Sequence, residues 1–179
     1  LVETIETQNF GKKAKNRTKI KHPVNLSSVK AQDTKRLTTK IVELDRILGG
    51  GLVPGQVVLL AGEPGIGKST LLLQLSDNLS GALYVSGEES VGQIKVRADR
   101  LGVKSSSIEI LEETNTDAVL EVINSYSSGK NPPNVIIIDS IQTMSTIDLS
   151  GMAGSVGQVR ESAFRLIQTT KALGIPLIM

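Results

Sequence analysis

Short, continuous apolar runs recur along the chain from about residue 57 onwards. They predict five strands, each four or five residues long: Val57–Ala61, Ala82–Ser86, Ile108–Leu111, Val135–Ile138 and Pro176–Met179. Runs of this kind, without polar alternation, are typical of parallel strands that are buried on both faces. The pattern therefore favours a sheet covered by other elements on each side.

Helical spacing fills the segments between these runs. It predicts four helices: Lys68–Leu79, Val91–Leu101, Thr116–Tyr126 and Val156–Leu173. An earlier helix is predicted around Ile41–Leu48, with Ile47 on its apolar face, because three glycines follow it and should end it. Val91 and Val156 fall on the apolar faces of their helices. The alternation of strand and helix predicts an α/β fold with a mainly parallel central sheet flanked by helices.

The segment between the first predicted strand and the next helix matches the phosphate-binding pattern G-x-x-x-x-G-K-S/T. The nucleotide-binding candidates are Gly62, Glu63, Pro64, Gly65, Ile66, Gly67, Lys68, Ser69 and Thr70. Glycines let the backbone curl around a phosphate, and the N-terminus of the following helix points N–H groups at the anion. Lys68 should reach the β- and γ-phosphates of ATP, and the Ser69 hydroxyl should ligate Mg²⁺.

A second site element is a carboxylate at the end of the strongest apolar run. Asp139 follows Val135–Ile138, as a Walker B acid does, and could hold Mg²⁺ through water. Ser140 stands where many P-loop ATPases keep the glutamate that activates water. Hydrolysis needs such a carboxylate, so Glu88 and Glu89, which follow the strand Ala82–Ser86, are the candidates. On spacing alone, an acidic pair favoured by a helix N-terminus explains them equally well.

Composition and charge limit the other possibilities. The chain has no Cys and one His, which excludes disulfides, thiolate metal sites and multi-His sites within it. Residues 1–40 carry a net charge of +7 and the remainder −5. We therefore divide the chain into a basic linker or arm at 1–39 and an ATPase core at 40–179. The arm could contact nucleic-acid phosphates or act as a solvated tether.

The apolar runs are too short to cross a membrane, so we expect no membrane contact and a cytoplasmic location. The chain begins without an initiator Met and ends on an apolar run. Both ends suggest a fragment of a longer protein.

Several longer strings together resemble the bacterial RadA family, also called Sms. They are Glu43–Gln74, Tyr84–Gly102, Val135–Met144 and Gly154–Glu161, and the similarity extends over about residues 38–179. The resemblance implies a RecA-type P-loop NTPase core. It also implies an ATP hydrolase that is stimulated by DNA and promotes branch migration during recombinational repair. The implied partners are single-stranded or branched DNA, further copies in a homo-oligomeric ring, by resemblance a hexamer, and possible recombinase proteins.

The same resemblance assigns roles to matching positions. Lys68 and Ser69 would bind nucleotide and Mg²⁺, and Lys68 would also take part in catalysis. Asp139 would be the Walker B acid, and Glu88 the catalytic carboxylate with Glu89 beside it. The polar connection Ile141–Ser155 falls where RecA-like proteins keep a DNA-facing loop, and Arg160 lies just beyond. The connection has no Lys or Arg, so a plain surface loop is the alternative.

Some family features are missing from the chain. Family members carry a four-cysteine zinc ribbon before the core, so zinc is expected only outside this chain. The family's KNRFG motif and protease-like domain are also absent. In RecA-type sheets the last strand lies between the P-loop strand and the Walker B strand, so we expect a core truncated on its C-terminal side.

Two alternatives remain open. A KaiC-like ATPase that acts on protein partners shares the P-loop and the paired glutamates but fits Gly154–Glu161 less well. A nucleotide-binding module that does not hydrolyse ATP is the other.

Overall fold

The computed structural model describes residues 23–28, 35–128 and 131–179. Within the first of two compact units, residues 1–33, Leu26–Ser28 forms a single 3₁₀ turn. All elements described below belong to the second unit, residues 34–179. The predicted basic arm at 1–39 lies largely outside the described residues, as does His22, and the arm stays a prediction.

Five strands form one sheet in the second unit. They are β1 Val57–Val58, β2 Ala82–Ser86, β3 Ile108–Glu112, β4 Val135–Asp139 and β5 Leu177–Ile178. Their order across the sheet is β1-β5-β4-β2-β3, and every neighbouring pair is parallel. This confirms the predicted α/β class with a parallel sheet. It also confirms that the last strand lies between the P-loop strand and the strand that ends at Asp139.

Five helices accompany the sheet. They are α1 Val42–Ile47, α2 Lys68–Leu79, α3 Val91–Leu101, α4 Thr116–Ser125 and α5 Val156–Leu173. The bounds of α2, α3 and α5 are those predicted, whereas α4 ends one residue early because Tyr126 begins a 3₁₀ turn. Sharp end signals explain the agreement at α3, where Ser90 and Gln93 form a capping box and Gly102 ends the helix at φ 68°. In the described part of the chain, no helix combines the length and apolarity that crossing a membrane requires.

The sheet separates two hydrophobic clusters, one on each face. On one face, alternate residues of the central strands, such as Tyr84 and Ile137, pack with α2 and α3. On the other face, Val85 and Ile138 pack with α4 and α5. Because β2 and β4 are covered on both sides, each of their positions except the last of β4 is buried. This is why their sequences are apolar without alternation.

Two strand predictions were too long, and four large apolar residues that were predicted to be in the core are exposed. The strands β1 and β5 have only two residues each, and Leu59, predicted to be in a buried strand, is 68% exposed. The reason is that β1 is an edge strand and the chain leaves the sheet there for the P-loop. Ile47, Val91 and Val156 are also exposed because each is a terminal residue of its helix, beyond the packed surface.

Candidate functional site

The ends of three strands meet around one cleft. Ser86, the last residue of β2, pairs in register with Asp139, the last residue of β4. The loops that follow these two strands therefore begin side by side. The loop after β1 leads into α2 at Lys68, and the resulting cleft has a volume of about 440 Å³. Residues that line it include Lys68, Ser69, Thr70, Glu88, Arg97 and Asp139.

The phosphate-binding loop depends on glycine for its backbone conformation. Gly65 and Gly67 have φ angles of 79° and 103°, which side-chain-bearing residues rarely adopt. A Cβ at either position would meet no atom within 4 Å, so backbone geometry and not crowding requires glycine there. The loop residues 62–67 are exposed, which leaves their concave side open to a ligand.

Lys68 spans this loop from the first turn of α2. Its ammonium donates to the carbonyl oxygens of Gly62 at 2.7 Å and Glu63 at 2.8 Å. No side chain caps the N-terminus of α2, so its first N–H groups have no side-chain acceptor. A cation and a helix N-terminus converge here, and the arrangement fits an anion such as a phosphate group.

Asp139 is held by a tyrosine from the neighbouring strand. The Tyr84 hydroxyl donates to Asp139 Oδ2 at 2.5 Å, and Tyr84 is 1% exposed. Burial raises the pKa of Tyr84 well above its usual range, and the hydrogen bond and the negative charge of Asp139 raise it further. Asp139 itself is half-buried, and its peptide bond to Ser140 is cis.

The two glutamates, which spacing alone does not distinguish, lie in different surroundings. Glu88 is exposed in the cleft, where its Oε1 accepts a hydrogen bond of 2.8 Å from the Ser140 hydroxyl. Glu89 instead forms an ion pair with Arg97 of α3, and its backbone is tied to the Ser86 hydroxyl. Glu88 therefore lines the same cleft as the phosphate-binding loop, whereas Glu89 is engaged in a structural contact. The catalytic role of Glu88 stays a prediction.

Five residues of the cleft region were not predicted from the sequence. They are Tyr84, Arg97, Arg100, Ser140 as a hydrogen-bond donor, and Gln142. Within the described residues, Arg97 Nη1 is buried without a hydrogen-bond partner. The one available signal was Tyr84, a hydroxyl in an otherwise apolar strand. Nothing in the spacing of Arg97 or Gln142 indicated the cleft.

The predicted cation site consists of two protein groups, the Ser69 hydroxyl and the Asp139 carboxylate. Among the described residues, no group of three or more His, Cys, Asp or Glu side chains is placed to hold a metal. A pair of oxygen ligands fits Mg²⁺, which typically keeps waters and binds substrate phosphates alongside one or two carboxylates.

Hydrogen bonds and ion pairs from α5 fix part of the connection between β4 and α5. Arg165 of α5 binds Asp117 at 2.8 Å and Asp148 at 2.9 Å. Gln158, which is 1% exposed, donates to the Thr146 and Leu149 carbonyls. Other residues of the connection are exposed, among them Ile147 at 85% and Met152 at 85%, and so is Arg160. The predicted contact of this segment with DNA stays a prediction.

Gly87, the residue after β2, lies where the two loops come closest. Its N–H donates to the Asp139 carbonyl at 3.0 Å, and an added Cβ would lie 1.9 Å from Thr143 Oγ1. We expect Gly87→Ala to lower the free energy of unfolding by about 1–3 kcal/mol, because Thr143 must move. In the control Gly92→Ala the added Cβ would meet only Ser90 Oγ, at 4.0 Å, so the substitution within α3 should raise the free energy of unfolding by about 0.5–1 kcal/mol. Urea unfolding measures both, and equal effects would contradict this description of the loop contact.

Both tyrosines of the chain donate to carboxylates, which gives a pH prediction. Burial, followed by the hydrogen bond to Glu109, raises the pKa of Tyr126 to about 12, and that of Tyr84 lies higher still. An unfolded tyrosine ionises at about pH 10. Above that pH the unfolded chain releases protons that the folded chain keeps. The contribution of the two tyrosines to the free energy of unfolding should therefore be complete below about pH 10 and be lost as the pH rises through their pKa values in the folded chain.

Tyrosinate absorbance, which no Trp obscures here, measures this titration. The folded protein should show little ionisation at about pH 10, and Tyr126→Phe isolates the signal of Tyr84. If the ionisation midpoint of either tyrosine in the folded protein lay near pH 10, that residue would be neither buried nor hydrogen-bonded to its carboxylate in solution.

Comparison with known proteins places these features in a family. A family model described as a family of unknown function (DUF7125) matches residues 36–162. The chain is also similar to proteins named DNA repair protein RadA. The Bacillus subtilis protein is 44% identical over 164 residues, covering 89% of this chain and 35% of the relative. The Streptococcus pneumoniae protein is 46% identical over 160 residues, covering 88% of this chain and 37% of the relative. The Mycobacterium tuberculosis protein is 48% identical over 162 residues, covering 87% of this chain and 33% of the relative.

These matches confirm the resemblance inferred from the motifs. The chain spans about a third of the length of the curated relatives that it matches. The chain therefore belongs to DUF7125, a family of unknown function, and it is similar to about a third of the length of the proteins named DNA repair protein RadA.

Proposed function

We propose that the chain binds ATP with Mg²⁺ in the cleft after β1, β2 and β4 and hydrolyses it. The observation that carries the proposal is the convergence of Lys68, Asp139 and Glu88 on one cleft from three separate strand ends. A phosphate cradle, a cation ligand and a free carboxylate are the parts that phosphoryl transfer to water requires. Chance rarely brings these three groups together at the carboxyl edge of a parallel sheet, where α/β proteins bind ligands.

Each group has a task in this proposal. The backbone N–H groups of the loop and the N-terminus of α2 bind the phosphates, and Lys68 neutralises part of their charge. Ser69 and Asp139 hold Mg²⁺, which supplies Lewis-acid polarisation of a phosphoryl oxygen when bound. Glu88 orients the attacking water and takes its proton. Glu89 contributes indirectly, by fixing Arg97 and the start of α3.

The biological role proposed for the whole protein is in DNA repair. Its support is the name of the relatives, DNA repair protein RadA, together with the RadA-like sequence segments around the site. In this proposal single-stranded or branched DNA stimulates ATP turnover, and a ring of subunits, with possible recombinase partners, promotes branch migration. The segment Ile141–Ser155 is a candidate DNA contact because it begins two residues after Asp139 and its residues 147–155 are exposed. The KaiC-like alternative makes a different prediction about DNA, given below.

Substitutions in the cleft test the ATPase proposal. We expect Lys68→Ala to abolish nucleotide binding because the cradle loses its cation. Glu88→Gln should keep nucleotide binding and lower kcat by about 10²- to 10⁴-fold, since only the proton acceptor is lost. The matched control, Glu89→Gln, removes a neighbouring carboxylate that points to Arg97 and should cost less in kcat. Steady-state phosphate release and binding of a fluorescent ATP analogue supply the two readouts. Wild-type turnover no higher than that of Lys68→Ala would instead support a module that binds without hydrolysis.

DNA dependence separates the repair ATPase from a KaiC-like ATPase. We expect single-stranded DNA to raise the ATP turnover of the chain severalfold, with the stimulation declining as salt rises because phosphate contacts release counterions. Polyglutamate of matched charge is the control for a nonspecific polyanion effect. A rate of ATP turnover that single-stranded DNA does not change at low salt would count against a DNA-dependent function and favour an ATPase that acts on protein partners.

A further inference from the structure

The two carboxylates of the cleft are held by hydroxyl groups that cross between strands. Tyr84, in β2, donates to Asp139 at the end of β4. Ser140, directly after β4, donates to Glu88, which follows β2. Each strand thus supplies one carboxylate and the hydroxyl that holds the other strand's carboxylate. Neither hydroxyl belongs to the phosphate-binding loop or to the proposed cation ligands.

The register of β2 with β4 explains why each strand holds the carboxylate of the other. Ser86 is paired with Asp139, and Tyr84 lies two residues before Ser86, so Tyr84 and Asp139 share the face that packs on α2. The aromatic ring of Tyr84 is fixed in the core at 1% exposure, and its hydroxyl contacts Asp139, which lines the cleft. It occupies Oδ2 of Asp139 and leaves the other oxygen available to a further partner. A buried ring is a rigid support, so the rotation of the carboxylate is limited.

Glu88 is in a different physical situation. Its side chain is exposed and has three rotatable bonds, so without a contact it would sample many orientations in water. The Ser140 hydroxyl holds one of its oxygens at 2.8 Å. Ser140 is itself fixed by its neighbours, because its carbonyl accepts a hydrogen bond of 2.8 Å from the Thr143 hydroxyl. The serine that stands in place of a glutamate after Asp139 therefore anchors the glutamate from the adjacent strand.

We infer that Tyr84 and Ser140 are positioning residues with separate tasks: Tyr84 orients Asp139 towards the cation, and Ser140 orients Glu88 towards the attacking water. This inference rests on the proposed ATPase function and deepens it. Groups that hydrogen-bond a metal ligand from behind set its orientation and the metal affinity. A carboxylate that activates water must in turn be placed within hydrogen-bond reach of it, and small misplacements are costly.

The competing explanation is that both hydrogen bonds merely join β2 to β4. In that case the loss of either hydroxyl would lower stability without a specific effect on Mg²⁺ or on turnover. The chain offers a close control, since Tyr126 is also buried and also donates to a carboxylate, that of Glu109. Tyr126→Phe removes the same chemical group away from the cleft. Ser125→Ala does the same for a serine hydroxyl, which donates to the Val122 carbonyl and lies outside the cleft.

The experiment compares Tyr84→Phe and Ser140→Ala with these two controls in the full chain. Binding of a fluorescent ATP analogue is titrated with Mg²⁺, and kcat is measured at saturating Mg²⁺ and ATP. For Tyr84→Phe we expect the Mg²⁺ concentration at half-saturation to rise about tenfold, with kcat at saturation changed by less than about twofold. For Ser140→Ala we expect an unchanged Mg²⁺ titration and a kcat reduced about 10- to 100-fold. Ser140→Thr, which keeps a hydroxyl, should recover most of the lost kcat.

Other outcomes decide against the inference in recognisable ways. Variants that differ from wild type only in thermal unfolding, as the controls should, would show that the hydroxyls are structural. An equal loss of Mg²⁺ affinity and kcat in both variants would refute the separation of tasks. Absence of wild-type turnover would overturn the ATPase proposal and the Ser140 part with it, whereas the Mg²⁺ titration of Tyr84→Phe would still decide the Tyr84 part.

Discussion

The parallel pairing of β2 with β4 is the constraint on which the site depends. In register, Ala82 pairs with Val135 and Ser86 pairs with Asp139, so both strands end at the same level. A slip of one residue would turn Asp139 to the opposite face, since side chains alternate along a strand. The apolar burial of both strands on both faces makes such a slip costly, because every side chain would exchange one hydrophobic cluster for the other. Core packing thus fixes where the polar residues at the strand ends lie.

From this register follows the arrangement of the cleft. The phosphate-binding loop follows β1, which lies two places from β4 in the sheet. The position of the loop is set by α2, which packs on the same face as Tyr84. Gly87 permits the loops after β2 and β4 to touch, and the Tyr84 and Ser140 hydroxyls join the two strand ends by hydrogen bonds. The carboxylates are then held by groups that are themselves held by the core. A rigid scaffold with preoriented carboxylates is what electrostatic stabilisation of a charged transition state requires.

Much of this could be predicted from the sequence, for physical reasons that differ between elements. The helices α2, α3 and α5 were predicted to the residue because apolar spacing, flanking glycines and, at α3, the Ser90 cap mark their ends. The central strands were predictable because burial on both faces demands unbroken apolar runs. The edge strand β1 was overestimated, since Leu59 is apolar yet exposed and a linear pattern carries no information about edges. The choice between Glu88 and Glu89 also lay beyond spacing, because it depends on the contacts with Ser140 and Arg97 from other elements.

The most direct test of this account is a crystal structure of the chain with Mg²⁺ and a non-hydrolysable ATP analogue. We expect the triphosphate in the loop Gly62–Ser69 and the cation between Ser69 and Asp139. We also expect Glu88, still bonded to Ser140, to face the γ-phosphate. A nucleotide bound elsewhere would contradict the account, as would a cation away from Asp139 or Glu89 in the position expected for Glu88.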